Sequence, residues 1–191
     1  MTKICYFIRH GYAIHNKLFW DIGERAYSEF RDTNLLYKGY EQCEELRKSW
    51  KMLKNIDLVC VSPCVRTLDT ALFTFKNHRV HFIAKDFLIE YPTGGTEQCN
   101  HRKNISDLEY LYPQIDFSEI ENDVFPWNNN KESMVDLKGR IEQMKDWIRK
   151  RPERNIAVIS HSSFIGMLKD GKIGNENNEL KHCFPYPIEI S

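Results

Sequence analysis

The chain has 191 residues, and its 27 Lys and Arg balance 27 Asp and Glu, so its formal net charge is zero. That balance leaves no electrostatic footprint for nucleic acid or an anionic membrane surface as the main partner. No apolar run reaches the roughly 18 residues of a membrane-spanning helix, and a chain without a signal peptide and with one domain over residues 1–191 is expected.

Residues 3–8 read as a buried first strand. Residues 16–34 form a polar, aromatic-rich loop with room for a short helix. Residues 39–53 read as a helix, with Cys43, Leu46, Trp50 and Leu53 on one face. Residues 57–61 are a strand, 64–76 a helix and 80–83 a short strand, after which Phe87 to Ile89 lead into Glu90. Gly94-Gly95 marks a turn. Residues 106–112 form a helix that Pro113 stops, and residues 125–131 a loop. The clearest helix spans 132–151, where Met134, Leu137, Ile141, Met144 and Ile148 repeat at helical spacing and Pro152 ends the run. Residues 155–160 are a strand and 185–190 an edge strand. Strands alternating with helices predict an α/β fold of three layers, a mostly parallel central sheet with helices on both faces.

Three of the apolar strands run into cationic or imidazole residues. Ile4-Cys5-Tyr6-Phe7-Ile8 runs into Arg9-His10-Gly11, followed by His15-Asn16. Leu58-Val59-Cys60-Val61 runs into Ser62-Pro63-Cys64-Val65-Arg66, and Ile156-Ala157-Val158-Ile159 into Ser160-His161-Ser162. Parallel strands bring these ends to one edge, where open α/β sheets bind ligands. Arginine is shaped to hold a phosphate with two donors, and a neutral imidazole beside it can attack phosphorus.

This constellation resembles the histidine phosphatase superfamily, also called the phosphoglycerate mutase-like family, over roughly residues 4–168. The matching pieces are Arg9-His10-Gly11 with Asn16, the stretch from Asp32 to Gln42 (with Leu36 where threonine is usual), Ser62-Pro63-x-x-Arg66-Thr67-x-x-Thr70-Ala71, Leu88-Ile89-Glu90 and Ser160-His161. The chain departs from the family pattern at Tyr12-Ala13 and at Ser162. The Arg-His-Tyr-Gly segment of true phosphoglycerate mutases is absent. In its place residues 94–103 resemble the loop of plant and fungal relatives.

The resemblance implies a small phosphorylated substrate and transfer in two steps without a cofactor or metal. His10 would attack the phosphate, while Arg9, Arg66, Asn16 and His161 hold its oxygens. Glu90 would protonate the leaving group and then activate water. Gly11, Ser162 and Arg102 are expected to join Asn16 in binding substrate. Arg102 and Lys103 would read a second anionic group if their loop folds over the pocket, and are otherwise surface charges. Asn16 also fits a helix cap, and Glu97 is the alternative acid. Mutase-type transfer and a non-catalytic phospho-ligand module remain as alternatives.

Other chemistries fit less well. Cys60 and Arg66 have the spacing of cysteine-dependent phosphatases, but their loop lacks glycine and Pro63 removes a donor. The seven histidines form no His-x-x-x-His or His-Glu-x-x-His pattern. The six cysteines show no paired metal spacing, so reduced thiols and a cytoplasmic location are expected. Both the P-loop motif and the Gly-x-Ser-x-Gly elbow are missing.

Overall fold

The computed structural model describes residues 2–125, 130–174 and 179–191. In chain order the elements are β1 (Lys3–Arg9), α1 (Ile14–Ile22), α2 (Arg25–Ser28), α3 (Tyr37–Ser49), β2 (Leu58–Val61), α4 (Val65–Thr74), β3 (His81–Ala84), α5 (Ile105–Leu111), α6 (Met134–Lys150), β4 (Ile156–Ser160), α7 (Ser162–Asp170) and β5 (Pro185–Ile190). Tight 3-10 turns lie at Leu53–Asn55, Asp86–Leu88 and Gln98–Asn100.

The sheet order is β3-β2-β4-β1-β5. The first four strands are parallel, and β5 runs antiparallel to β1 with Pro187 opposite Tyr6. An edge strand tolerates Pro185 and Pro187, because the missing N–H groups face the open side. The interior strands are apolar on both faces, as a sheet covered on both sides requires. Ile8, Val59, Ala157 and Ile159 pack against Cys43 and Leu46 of α3, Leu68 and Ala71 of α4 and Leu108 of α5. Phe7, Cys60, Ile156 and Val158 pack on the other side against Leu137, Ile141 and Met144 of α6 and Phe164 of α7. The expected three-layer architecture is the one observed.

Local differences have local causes. The loop expected over 16–34, with room for one short helix, holds most of α1, which starts earlier at Ile14, and all of α2. Trp50 ends α3 rather than lying within it, and turns edge-on to Tyr6 at 5.2 Å. Met134 opens α6 and is 37% exposed, outside the stripe that Leu137, Ile141, Met144 and Ile148 bury. Ser133 caps that helix, accepting from the Asp136 N–H while its own N–H donates to the Asp136 carboxylate, a reciprocal cap of about 1 kcal/mol. Helix α7 answers to no expectation. Most of the loop expected over 125–131 falls on residues 126–129, outside the described residues.

Candidate active site

Strands β1, β4 and β2 are neighbours, so their carboxyl ends share one edge. Arg9 lies opposite Ser160, and the His10 N–H continues the ladder to the Ser160 carbonyl at 3.1 Å. On the other side the Ser62 N–H reaches the Ile159 carbonyl at 3.0 Å. Two glycines let the β1 loop close on α3. A Cβ on Gly11 would stand 2.8 Å from the Gly39 carbonyl oxygen, and one on Gly39 would stand 2.4 Å from that of Tyr12.

His10 is buried among imidazoles, with ring centroids of His161 at 5.2 Å and of His15 and His182 at 5.6 Å. Its Nδ1 lies 2.7 Å from the Gly11 carbonyl, which can only accept. The proton therefore sits on Nδ1 and the lone pair on Nε2. Burial holds its pKa well below the ordinary histidine value, and Arg66, His161, Arg9 and His182 act the same way. The His182 Nδ1 donates to the His10 carbonyl at 2.6 Å, fixing the backbone at this residue.

Two buried guanidinium groups lie beside this ring. Arg66 donates from Nη1 to the Cys99 carbonyl at 2.7 Å and from Nη2 to Asn100 Oδ1 at 3.1 Å. Its Nη2 also lies 3.1 Å from His161 Nδ1, so that nitrogen must accept and His161 Nε2–H points to Ser62 Oγ at 2.9 Å. Arg9 donates from Nη1 to the Leu180 carbonyl at 2.7 Å and from Nη2 to the Glu179 carboxylate at 2.5 Å. The Nε–H of Arg9 and the Nε–H of Arg66 are buried without an acceptor. Such donors are costly to leave unmade in a buried site.

Glu90 follows the turn after β3 and reaches the N-terminus of α7. Its Oε1 accepts from the Tyr91 and Phe164 N–H groups at 2.8 and 3.1 Å, and its Oε2 from the Ser163 N–H at 3.1 Å. Burial raises its pKa, outweighing these N–H groups and the charge of Arg66. With two donors on Oε1 and one on Oε2, Oε2 keeps a lone pair that can carry a proton.

Arg9, His10, Arg66 and His161 thus come together as expected, with Glu90 linked to them through α7 and Arg66. The residues expected to bind substrate are mostly engaged in the framework. Arg102 is fully buried, and all five of its N–H donors are taken by Asp86 and the carbonyls of Lys103, Asn122 and Asp123. It therefore has no donor left for a second anionic group. The Gly11 N–H is held by Thr70 Oγ1 at 3.0 Å, and Ser162 Oγ accepts from the Leu180 N–H at 3.4 Å. Asn16 caps α1 by accepting from the Ala13 N–H at 3.0 Å, and its amide nitrogen stays available. His161, too, has both ring nitrogens engaged, by Arg66 and Ser62, while its ring lies edge-on against His10.

Glu97 bonds its own neighbourhood, the Thr96 N–H and Lys131. Cys60 is 1% exposed inside β2, and burial pushes its thiol pKa far up. Its would-be phosphate loop is committed elsewhere, since the Val65 N–H donates to Asp32 at 2.9 Å. Among the described residues no group of three or more His, Cys, Asp or Glu could hold a metal ion, and no helix is long and apolar enough to cross a membrane. Sequence reasoning missed His182, Glu179, Thr70 and Asn100 as neighbours of the site.

Buried imidazoles and buried arginines thus gather at the carboxyl edge of a mostly parallel α/β sheet. Residues 5–186 match the histidine phosphatase superfamily (branch 1), and the chain belongs to that family. It is 29% identical over 198 residues to a phosphoglycerate mutase-like protein of Arabidopsis thaliana, covering 85% of this chain and 72% of the relative. Two solved structures share the fold. One is an Escherichia coli protein assigned as an alpha-ribazole-5'-P phosphatase, with TM-score 0.65, 20% identity, and 99% of this chain and 91% of the other covered. The other is the phosphoserine phosphatase of Entamoeba histolytica in complex with 3-phosphoglyceric acid, with TM-score 0.57, 20% identity and coverages of 96% and 94%.

Proposed function

We propose that the protein hydrolyses small phosphomonoesters through a phosphohistidine on His10, without a metal ion. One observation carries this reading: the acceptor-free buried Nε–H groups of Arg9 and Arg66 flank an imidazole held neutral, with its lone pair on Nε2. Phosphate oxygens would complete both arginines and present phosphorus to Nε2. The Asn16 amide nitrogen is a further donor. His161 steadies Arg66 instead of touching phosphate. Fixed donors of this kind are typically worth about 10²–10³-fold each in rate.

Glu90 gives its proton from Oε2 to the leaving oxygen and then takes one from the water that attacks the phosphohistidine. Arginines supply the charge stabilisation that metal ions give elsewhere. Hydrolysis is preferred over mutase-type transfer because Arg102, the loop cation that could read a substrate carboxylate, is wholly engaged. The reading extends the family membership and the phosphatases among the relatives, without fixing the physiological substrate.

A screen of phosphomonoesters with wild type and a folded His10→Ala control tests it, with EDTA as a second arm. Activity lost with His10 and indifferent to EDTA is expected. Activity that EDTA abolishes and Zn²⁺ or Mg²⁺ restores would contradict it.

A further inference from the structure

We infer that Arg140, together with Glu132, is a positioning residue whose guanidinium fork fixes the backbone on both sides of Glu90 and aims its carboxyl at the leaving oxygen. This rests on the acid role proposed for Glu90 above.

The contacts are specific to that loop. From α6, Arg140 Nη1 donates to the carbonyls of Phe87 at 2.9 Å and Ile89 at 2.8 Å, the residues just before Glu90. Its Nε and Nη2 donate to the two carboxylate oxygens of Glu132 at 2.6 and 2.8 Å. Glu132 carries the fork past Glu90, because its Oε2 accepts from the Thr93 N–H at 2.9 Å and its own N–H donates to the Thr93 carbonyl at 2.9 Å. One bidentate pair thus grips residues 87, 89 and 93, with Glu90 between them. The pair is sheltered, with side chains 16% and 4% exposed, so its geometry is little loosened by water. Ser160 and Asn100 hold the same loop at the Leu88 and Pro92 carbonyls. Those two residues also belong to the β4 end and to the Arg66 network, so the acid and the oxyanion site are registered to one another.

The fork cannot be replaced by a point charge. Lysine offers three donors from one atom and cannot serve two carbonyls and both carboxylate oxygens in that planar arrangement. A displacement of Glu90 by about 1 Å is enough to cost on the order of 10²-fold in proton transfer.

The test compares an alkyl phosphate, whose leaving group needs a proton, with nitrophenyl phosphate, whose leaving group hardly does. Arg140→Lys is expected to lower kcat on the alkyl phosphate by about 10- to 100-fold, to leave nitrophenyl phosphate within about threefold, and to leave KM unchanged for both. Glu132→Gln, which opens the fork while keeping Arg140, is expected to show the same bias and supplies the reading if Arg140→Lys folds poorly. In a Glu90→Gln background, Arg140→Lys should slow the alkyl phosphate no further, because the two act through one carboxyl. Equal slowing on both substrates, or additive effects in the double variant, would overturn the inference while leaving the acid role of Glu90 intact. If Glu90→Gln alone shows no leaving-group bias, the acid role fails and the positioning role with it.

Discussion

Arg9 donates from Nη2 to a carboxylate oxygen of Glu179 at 2.5 Å, so an anion of the chain itself rests on one of the arginines that flank His10. The Glu179 side chain is 54% exposed and Arg9 only 4%, which makes this carboxylate a replaceable partner on a fixed guanidinium. Substrate phosphate would compete with it. Glu179→Gln should therefore lower KM for phosphomonoesters by about two- to fivefold, the scale of an exposed ion pair, with kcat little changed. A raised KM in steady-state assays would show that Glu179 helps bind substrate.

Arg102 is expected to act on stability rather than specificity. Replacing it with alanine strands Asp86 and three carbonyls. Breaking a fully buried pair costs about 3–5 kcal/mol, and with the Asp86 side chain 32% exposed the loss should fall at the low end of that range. Urea unfolding should show the loss directly. The residual activity should keep the wild-type preference between mono- and bis-anionic phosphate esters. A preference that shifts while stability holds would restore Arg102 to the binding site.

His10, His15 and His161 all have pKa values held well below the ordinary value by burial, and His182 and His101 are lowered to about 3 and about 4. An unfolded histidine titrates near about 6.5. Below that pH the unfolded chain binds protons that the native state refuses, so stability falls as pH drops through about 6.5 toward 4. Asp32, raised to about 6, and Glu90 and Asp69, also raised, work the other way, since the native state protonates them first. Five histidines against three carboxyls leave the acid side weaker. A Tm clearly lower at pH 5 than at pH 7 is expected, and an unchanged or higher Tm at pH 5 would contradict this balance.

Under the proposed mechanism the same shifts would set the activity profile. His10 stays neutral, and therefore nucleophilic, well below the usual histidine pKa, and Glu90 keeps its proton above the usual carboxyl pKa. Both displacements favour a bell with a mildly acidic optimum. The basic limb reports the loss of the Glu90 proton, so Glu90→Gln should flatten it for alkyl phosphates. A basic limb that survives in Glu90→Gln would assign the acid elsewhere.

Much of this site was legible because it sits where apolar runs end. Ile4 to Ile8, Leu58 to Val61 and Ile156 to Ile159 announce strands by their content, and Arg9, His10, Arg66 and His161 follow at once. Helix α7 was less legible: Phe164, Ile165, Met167 and Leu168 form a nearly continuous apolar run broken only by Gly166, too short and too unbroken to show a helical period. That glycine is there for close approach, since a Cβ would meet the Lys172 carbonyl oxygen at 2.6 Å. Arg102 looked like a loop cation because its partners Asp86, Asn122 and Asp123 are remote in sequence. His182 and Glu179 reach the site from the segment before β5, and nothing near β1 in sequence points to them. Pairings of that kind depend on the finished fold rather than on local pattern.

The most direct test of the account is to trap the covalent intermediate. Wild-type protein mixed with a ³²P-labelled phosphomonoester and quenched within one turnover should carry label that is acid-labile and base-stable, and folded His10→Ala should carry none. Label that persists in His10→Ala, or turnover in wild type with no protein-bound phosphate, would contradict a phosphohistidine on His10.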